Sequence, residues 1–444
     1  MTALVTNAQA NASERILNIA EHTTPNGIKL WHVEDNSLPI ITMHFAFRGA
    51  GSVNDPDGKI GLGQLVSNTI DEGAGDRDAN AFQTALQDHA IDLSFSNGRD
   101  HFTGKIKTLK RHKDLAFELL YDAIHKPTFE LEAANRMKYA NVMRVKSSQA
   151  KSDWMASRLM NDVYFGDHAY AQNSGGTISG LTGITKKDMV DFVKTHFTRG
   201  NLVVSTAGDM SADEATILVD QIFSDLPEQS KVYAFKDVVV SETPVKKAFK
   251  MDSPQSSVQM IWPAFGLNDP DYHAMRVMNH ILGGGGFSSY LMEEVREKRG
   301  LTYGIYSQPV NMNYADYMVI QSATSPENVA PMSEAITDVL TKLKTEMVDN
   351  ELLMDAKSYL VGSLPLRFAS TLSLSGAAIR MQLDGRDISA LDNWADKINA
   401  ITSDDIQRVA NRIFVNTEPT ATVIAGAVPD DQGFELVDVV PGIE

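Results

Sequence analysis

An α+β fold made of two homologous domains from an internal duplication, each a mainly antiparallel sheet with helices packed on one face, is what this 444-residue sequence predicts. Three observations carry the prediction: a repeat spanning half the chain, strand-like segments in pairs, and helix-like segments in pairs. Asn54-Asp55-Pro56-Asp57 recurs as Asn268-Asp269-Pro270-Asp271, at an offset of 214. Ile184-Thr185-x-x-Asp188 recurs as Ile401-Thr402-x-x-Asp405 at an offset of 217, followed at the same interval by Phe197 and Phe414. A β-rich run ending in glycine comes after each Phe, Leu202 to Gly208 and Ala421 to Gly426. Ordered blocks at a nearly constant offset mark a duplicated unit and set the domains at residues 1–232 and 233–444. The join falls within Pro227 to Lys246, where proline and charged residues interrupt the periodicity.

The elements follow from side-chain period. Ile41, Met43, Phe45 and Phe47 alternate with Thr42, His44 and Ala46, as a strand with one buried face requires, and Val258, Met260 and Trp262 do the same in the second half. Leu115, Leu119, Leu120, Ala123 and Ile124 have helical spacing instead, and Pro127 closes that segment.

Composition removes several function classes. A net charge of −17 opposes binding to phosphate backbones, which relies on clustered Lys and Arg. No apolar run approaches the roughly 20 residues that span a bilayer. With no cysteine, disulfides, thiolate metal sites and a cysteine nucleophile are excluded. No Gly-x-Ser-x-Gly elbow supports a serine hydrolase. Ala8-Gln9-Ala10 resembles the small-residue end of a secretory signal, which sets the periplasm as the expected compartment, with the cytoplasm as the alternative.

Arg48-Gly49-Ala50-Gly51-Ser52, Asn54-Asp55-Pro56 and Gly61-Leu62-Gly63 lead into Gln64-Leu65-Val66-Ser67-Asn68. This stretch resembles the approach to the catalytic helix of the pitrilysin/insulinase family of zinc peptidases, and the resemblance covers both halves of the chain in order. In active members the helix carries His-x-x-Glu-His, two zinc-binding histidines one turn apart and a glutamate general base. Here the matching positions hold Gln64, Ser67 and Asn68. Neutral amides are poor zinc ligands, and a serine hydroxyl cannot replace a carboxylate base. The family's remaining ligand is a downstream glutamate, expected on a helix near residues 138–148, yet Ala133 to Ser152 contains no acidic residue. No other His-x-x-Glu-His or His-Glu-x-x-His occurs among the eleven histidines. No metal is expected in this chain.

A second motif lies in the other half. Gly283-Gly284-Gly285-Gly286 precedes a segment with Leu291, Met292 and Val295 as its apolar stripe, Gly300 as its terminator, and Leu301, Tyr303 and Ile305 alternating as a following strand. By residue type alone, Glu293 to Arg299 reads as a solvated helix face and Tyr303 as a packed strand residue. The segment also resembles the most recognisable part of the family's second domain, where an arginine and a tyrosine reach into the zinc site of the other domain or subunit. Arg296 and Tyr303 match them, and the resemblance implies that they hold substrate and stabilise the oxyanion of the tetrahedral intermediate. The glycine run is implied to line the peptide chamber or to let it move. Taken together, the resemblance implies a non-catalytic subunit of a heterodimeric zinc peptidase: the homologous partner carries zinc and base, this chain supplies Arg296 and Tyr303, and the substrates are extended peptides. The alternatives are a structural core-type subunit and a peptide-binding protein without proteolysis.

Overall fold

The computed structural model describes residues 17–229, 235–430 and 433–444. Ala8-Gln9-Ala10 therefore lies outside the described residues. In the first half, β1 (Ala20–Thr23), β2 (Lys29–Glu34), β3 (Ile40–Arg48), β4 (Asp92–Asn97), β5 (His101–Leu109) and β6 (Leu202–Gly208) form one sheet in the order β1-β2-β6-β3-β5-β4. The second half repeats it with β7 (Val245–Lys250), β8 (Ser256–Pro263), β9 (Ile305–Asn311), β10 (Asp316–Thr324), β11 (Ala421–Gly426) and β12 (Glu435–Val437), ordered β12-β7-β11-β8-β10-β9. Only β2–β6 is parallel in the first sheet, and β7–β11 with β12–β7 in the second. Five strands of each sheet correspond one to one. The sixth differs, because β1 precedes its neighbour in the chain whereas β12 follows the whole domain.

The repeated residues turn out to be local folding devices. Thr185 with Asp188, and Thr402 with Asp405, are reciprocal capping boxes that start helices Lys186–His196 and Ser403–Ile413. Phe197 stacks on Phe47 with ring centroids 4.2 Å apart, and Phe414 meets Trp262 edge-on at 5.3 Å. The Asn-Asp-Pro-Asp copies diverge in use. Asp269 and Asp271 hold Arg412 and Arg408 of the last helix, while Asp55 is buried and accepts backbone N–H groups.

Ile41, Met43, Phe45 and Phe47 are all buried, as their alternation predicts. Thr42 and Ala46, on the opposite face, are fully buried as well. The cause is an exchange of helices between the halves. Helix Thr371–Leu383, from the second half, lies across β3 and β6 of the first sheet and packs Ala378 and Met381 against Trp31, Val33 and Ala207. Helix Ser152–Phe165, from the first half, packs Met155, Leu159 and Met160 against Ile261, Val319 and Val423 of the second sheet. Each sheet is thus covered on both faces, by its own helices on one and by a borrowed helix on the other.

Polar side chains fix the register of both borrowed helices. Thr42 Oγ1 donates to Thr371 O at 3.0 Å, Ser205 Oγ to Ser375 O at 2.7 Å, and Gln382 Nε2 to Val204 O at 2.8 Å. At the other seat Ser152 and Ser257 share a hydrogen bond of 2.8 Å, and Gln259 Nε2 donates to Ser157 Oγ at 2.7 Å. The three bonds at the first seat are buried and the two at the second partly so, and each fully buried Met or Leu beside them contributes about 1.5–3 kcal/mol. Two outcomes follow. A cut between Phe223 and Val245 leaves two fragments that co-elute in native size-exclusion chromatography, and fragments that separate would contradict the exchange. Gln382→Ala lowers unfolding free energy by about 1–3 kcal/mol in denaturant titrations.

Candidate functional site

The short helix Leu62–Ser67 begins at Gly61, whose φ of +105° suits glycine and whose Cα lies close under Gly176 and Leu181. The Asp55 carboxylate receives the Gly61 N–H at 2.7 Å and the Gly63 N–H at 2.9 Å. Burial pushes this carboxyl up to about 7, and those backbone N–H bonds only partly counter it. The helix places Gln64 and Asn68 one turn apart, as the sequence predicts.

What the side chains do there is close on one another. Gln64 Nε2 donates to Asn68 Oδ1 at 2.9 Å, and Ser67 Oγ donates back to Gln64 O at 2.8 Å. Asn68 Nδ2 donates across to Asn141 Oδ1 at 3.1 Å on helix Leu131–Ser148. Asn141 is buried, donates to Met137 O at 2.9 Å, and accepts from Arg144 Nη2 at 3.1 Å. A third amide therefore stands on the helix where the third ligand was expected. Sequence reasoning looked there for an acid and missed Asn141. Its signal is position, because it lies seven residues from Ala134 and four from Val145 on that helix's buried stripe.

These residues do not fit a zinc ion. The donors are neutral amides already engaged with each other, and a guanidinium sits within hydrogen-bonding distance of the third. Among the described residues, no group of three or more His, Cys, Asp or Glu is placed to hold a metal.

The glycine run is packed tightly at Gly283 and open at Gly286. His280–Gly284 is wound as a π-type turn, and a Cβ on Gly283 would fall 2.6 Å from Ser307 Oγ and 2.7 Å from its nitrogen. Leu291, Met292 and Val295 are buried as the stripe predicts, and Gly300, at φ +63°, ends the segment. Lys298 pairs with Glu293 and Glu294, and Arg299 with Glu294 and Asp338. Arg296 is held differently: its guanidinium lies 4.5 Å from the centre of the exposed Phe287 ring. Its Nη1 is 3.4 Å from the Glu297 carboxylate, an ion pair by distance at an angle that makes no hydrogen bond.

Tyr303 departs from its predicted strand position. Pairing of β9 with β10 begins at Ile305 opposite Ser322, and before it Thr302 Oγ1 donates to Ala323 O at 2.8 Å and accepts the Gly304 N–H at 3.1 Å. That side chain ties off the sheet edge, so Tyr303 projects from a turn and is 87% exposed. A cation on an aromatic shelf and a free phenol thus flank one segment end. A cavity of about 740 Å³ between the halves is lined by Arg99, His101, Asp316 and Arg380 and by none of Gln64, Ser67, Asn68, Arg296 or Tyr303.

Paired sheets with exchanged helices match a two-domain peptidase fold, and the chain has no His-x-x-Glu-His zinc motif. The chain belongs to the insulinase family, peptidase family M16. Residues 47–173 match the family model described as Insulinase (Peptidase family M16), and residues 183–360 that described as Peptidase M16 inactive domain. It is 27% identical over 343 residues to Non-peptidase homolog YmxG of Helicobacter pylori, covering 75% of this chain and 77% of that one. It is 22% identical over 422 residues to Probable mitochondrial-processing peptidase subunit beta of Arabidopsis thaliana, covering 92% and 78%. A solved structure described as peptidase M16 inactive domain from Pseudomonas fluorescens matches with a TM-score of 0.86 at 26% identity, over 93% of this chain and 100% of that one.

Two measurements test the site. The wild-type chain, dialysed against zinc and analysed by plasma mass spectrometry, holds well under one equivalent, whereas the combined Gln64→His, Ser67→Glu, Asn68→His and Asn141→Glu variant holds about one. Asp55 gives a pH signature. Its folded value of about 7 lies above the ordinary 3.8, so between these the folded state keeps a proton that the unfolded state releases. Its contribution is complete below the lower value and is lost as pH rises through the upper. Relative to Asp55→Asn, wild-type Tm falls between about pH 4 and pH 8; parallel Tm curves would contradict this.

Proposed function

We propose that this chain is the non-catalytic, substrate-binding and transition-state-stabilising subunit of a heterodimeric zinc metallopeptidase that cleaves peptides. One observation carries the reading: the metal positions hold amides, while Arg296 and Tyr303 keep a presented cation and phenol. A guanidinium and a phenolic O–H suit an oxyanion, because both are donors able to meet developing negative charge. Neither helps without a metal-bound water, so the partner is a homologous subunit that carries the zinc and the glutamate base. In this reading the glycine run Gly283 to Gly286, open at Gly286, lets the backbone of an extended peptide pass close by. The name of the Arabidopsis relative, a subunit of a processing peptidase, supports a divided enzyme. The name of the Helicobacter relative supports loss of peptidase activity in this branch.

Mixing provides the test. The isolated chain leaves a quenched peptide library intact, and adding a zinc-bearing homologous subunit produces cleavage that neither chain gives alone. In that complex Arg296→Ala and Tyr303→Phe each lower kcat by roughly 10²–10³-fold, the scale for removing an oxyanion donor. Wild-type turnover from both assembled variants would refute the assignment.

A further inference from the structure

The duplication brings two equivalent hairpin ends to one cavity. Ile41 is opposite both Thr108 and Gly208, and Ser256 is opposite both Thr324 and Gly426, so β5 is the counterpart of β10. Counting back along each strand from that match sets Asp100 against Asp316. Both aspartates line the cavity of about 740 Å³ between the halves, which the end of the borrowed helix Thr371–Leu383 borders with Arg380 and Leu383. The preceding residues break the symmetry, because Arg99 of the first hairpin is matched by Ala315 of the second.

The charges on this wall are not all paired. Asp384 pairs with Arg380 at 2.9 Å, and Asp269 with Arg412 at 2.9 Å. Asp100 has only a phenol, accepting from Tyr170 Oη at 2.6 Å, and Asp316 only an amide, accepting from Asn311 Nδ2 at 2.7 Å. Burial, together with the nearby Asp237 charge, holds the Asp316 carboxyl above its ordinary value, and the amide only partly counters it. Among the described residues the Arg99 guanidinium makes neither an ion pair nor a hydrogen bond; its Nε is buried without a partner, and its centre lies 5.9 Å from the Phe165 ring. His101, held below its ordinary value chiefly by burial, adds no charge at neutral pH. Leu267, Val310, Met312 and Leu383 complete the wall with half-buried apolar surface.

We infer that this cavity binds a small zwitterion, an apolar α-amino acid or a dipeptide of such residues, with its carboxylate on Arg99, its ammonium on Asp316 and Asp100, and its side chain on the apolar wall. The ligand carries what the wall lacks: an anion for a guanidinium without an acid, and a cation for two carboxylates without a base. A simple anion would face both aspartates, and a simple cation would leave Arg99 unpaired. The inference goes beyond the peptidase role and does not rest on it, because neither Arg296 nor Tyr303 borders the cavity.

The probes are L-leucine and L-leucyl-L-leucine, titrated into the full chain by isothermal calorimetry. At least one binds saturably; tighter binding of leucine assigns the free amino acid, and tighter binding of the dipeptide assigns a ligand with separated termini. The N-acetyl and C-amide forms of the bound probe, each lacking one charge, bind at least about tenfold more weakly, which tests the charge pattern on the wild-type chain. Arg99→Gln weakens the zwitterion by at least about tenfold and leaves the C-amide form unchanged. Asp316→Asn weakens the zwitterion and leaves the N-acetyl form unchanged, with thermal melts checking that both variants fold. No saturable binding of either zwitterion up to about 10 mM, one-charge forms that bind as tightly as the zwitterion, or undiminished binding by a folded Arg99→Gln variant overturns the inference.

Discussion

Each sheet of this protein has its second face closed by a helix from the other half of the chain, and the rest of the structure depends on that exchange. A strand face that alternates apolar with polar residues ordinarily meets water. Here Thr42, Ser205, Ser257 and Gln259 meet helix backbone and hydroxyls instead, so the polar face becomes an interface with directed hydrogen bonds. Hydrogen bonds select the register and apolar contacts around Trp31 and Met155 supply most of the free energy. The two halves are held in one relative arrangement by these two apolar seams and the hydrogen bonds set in them. That arrangement places the helix carrying Gln64 and the segment carrying Arg296 at fixed positions on one body.

The amide cluster at helix Leu62–Ser67 shows how polar side chains are buried together between two helices. Gln64, Asn68 and Asn141 are linked in a row, and the Asn141 oxygen accepts from both Asn68 and Arg144. A network in which every member has a partner costs little to bury, whereas a half-filled one is expensive. Asn68 and Asn141 thereby tie helix Leu62–Ser67 to helix Leu131–Ser148.

Much of the fold is legible in the sequence because its signals are local. The Ile-Thr-x-x-Asp repeat is a capping box, and a capping box needs only four residues to act. Gly300 stops its segment through its own φ, and Met292 and Val295 follow simple helical spacing. The exchange of helices is not legible, since Thr42, His44 and Ala46 have the pattern of a solvent face and the helix that covers them lies about 330 residues away. Tyr303 fits strand alternation, and what removes it from the strand is the hydroxyl of its neighbour Thr302, a tertiary contact. Asn141 is hidden for a related reason: a buried amide takes its meaning from Asn68, which no local window contains.

The exchange also governs how the molecule is made. During synthesis the whole first sheet emerges before helix Thr371–Leu383 exists, so Trp31, Val33 and Ala207 face solvent until the second half is nearly complete. Contacts of such long sequence separation form late and slowly, because a large loop must close before they are rewarded. A ribosome-bound first half therefore presents an apolar, hydrogen-bond-ready surface, the kind of nascent intermediate that chaperones shield and that aggregates when translation stalls.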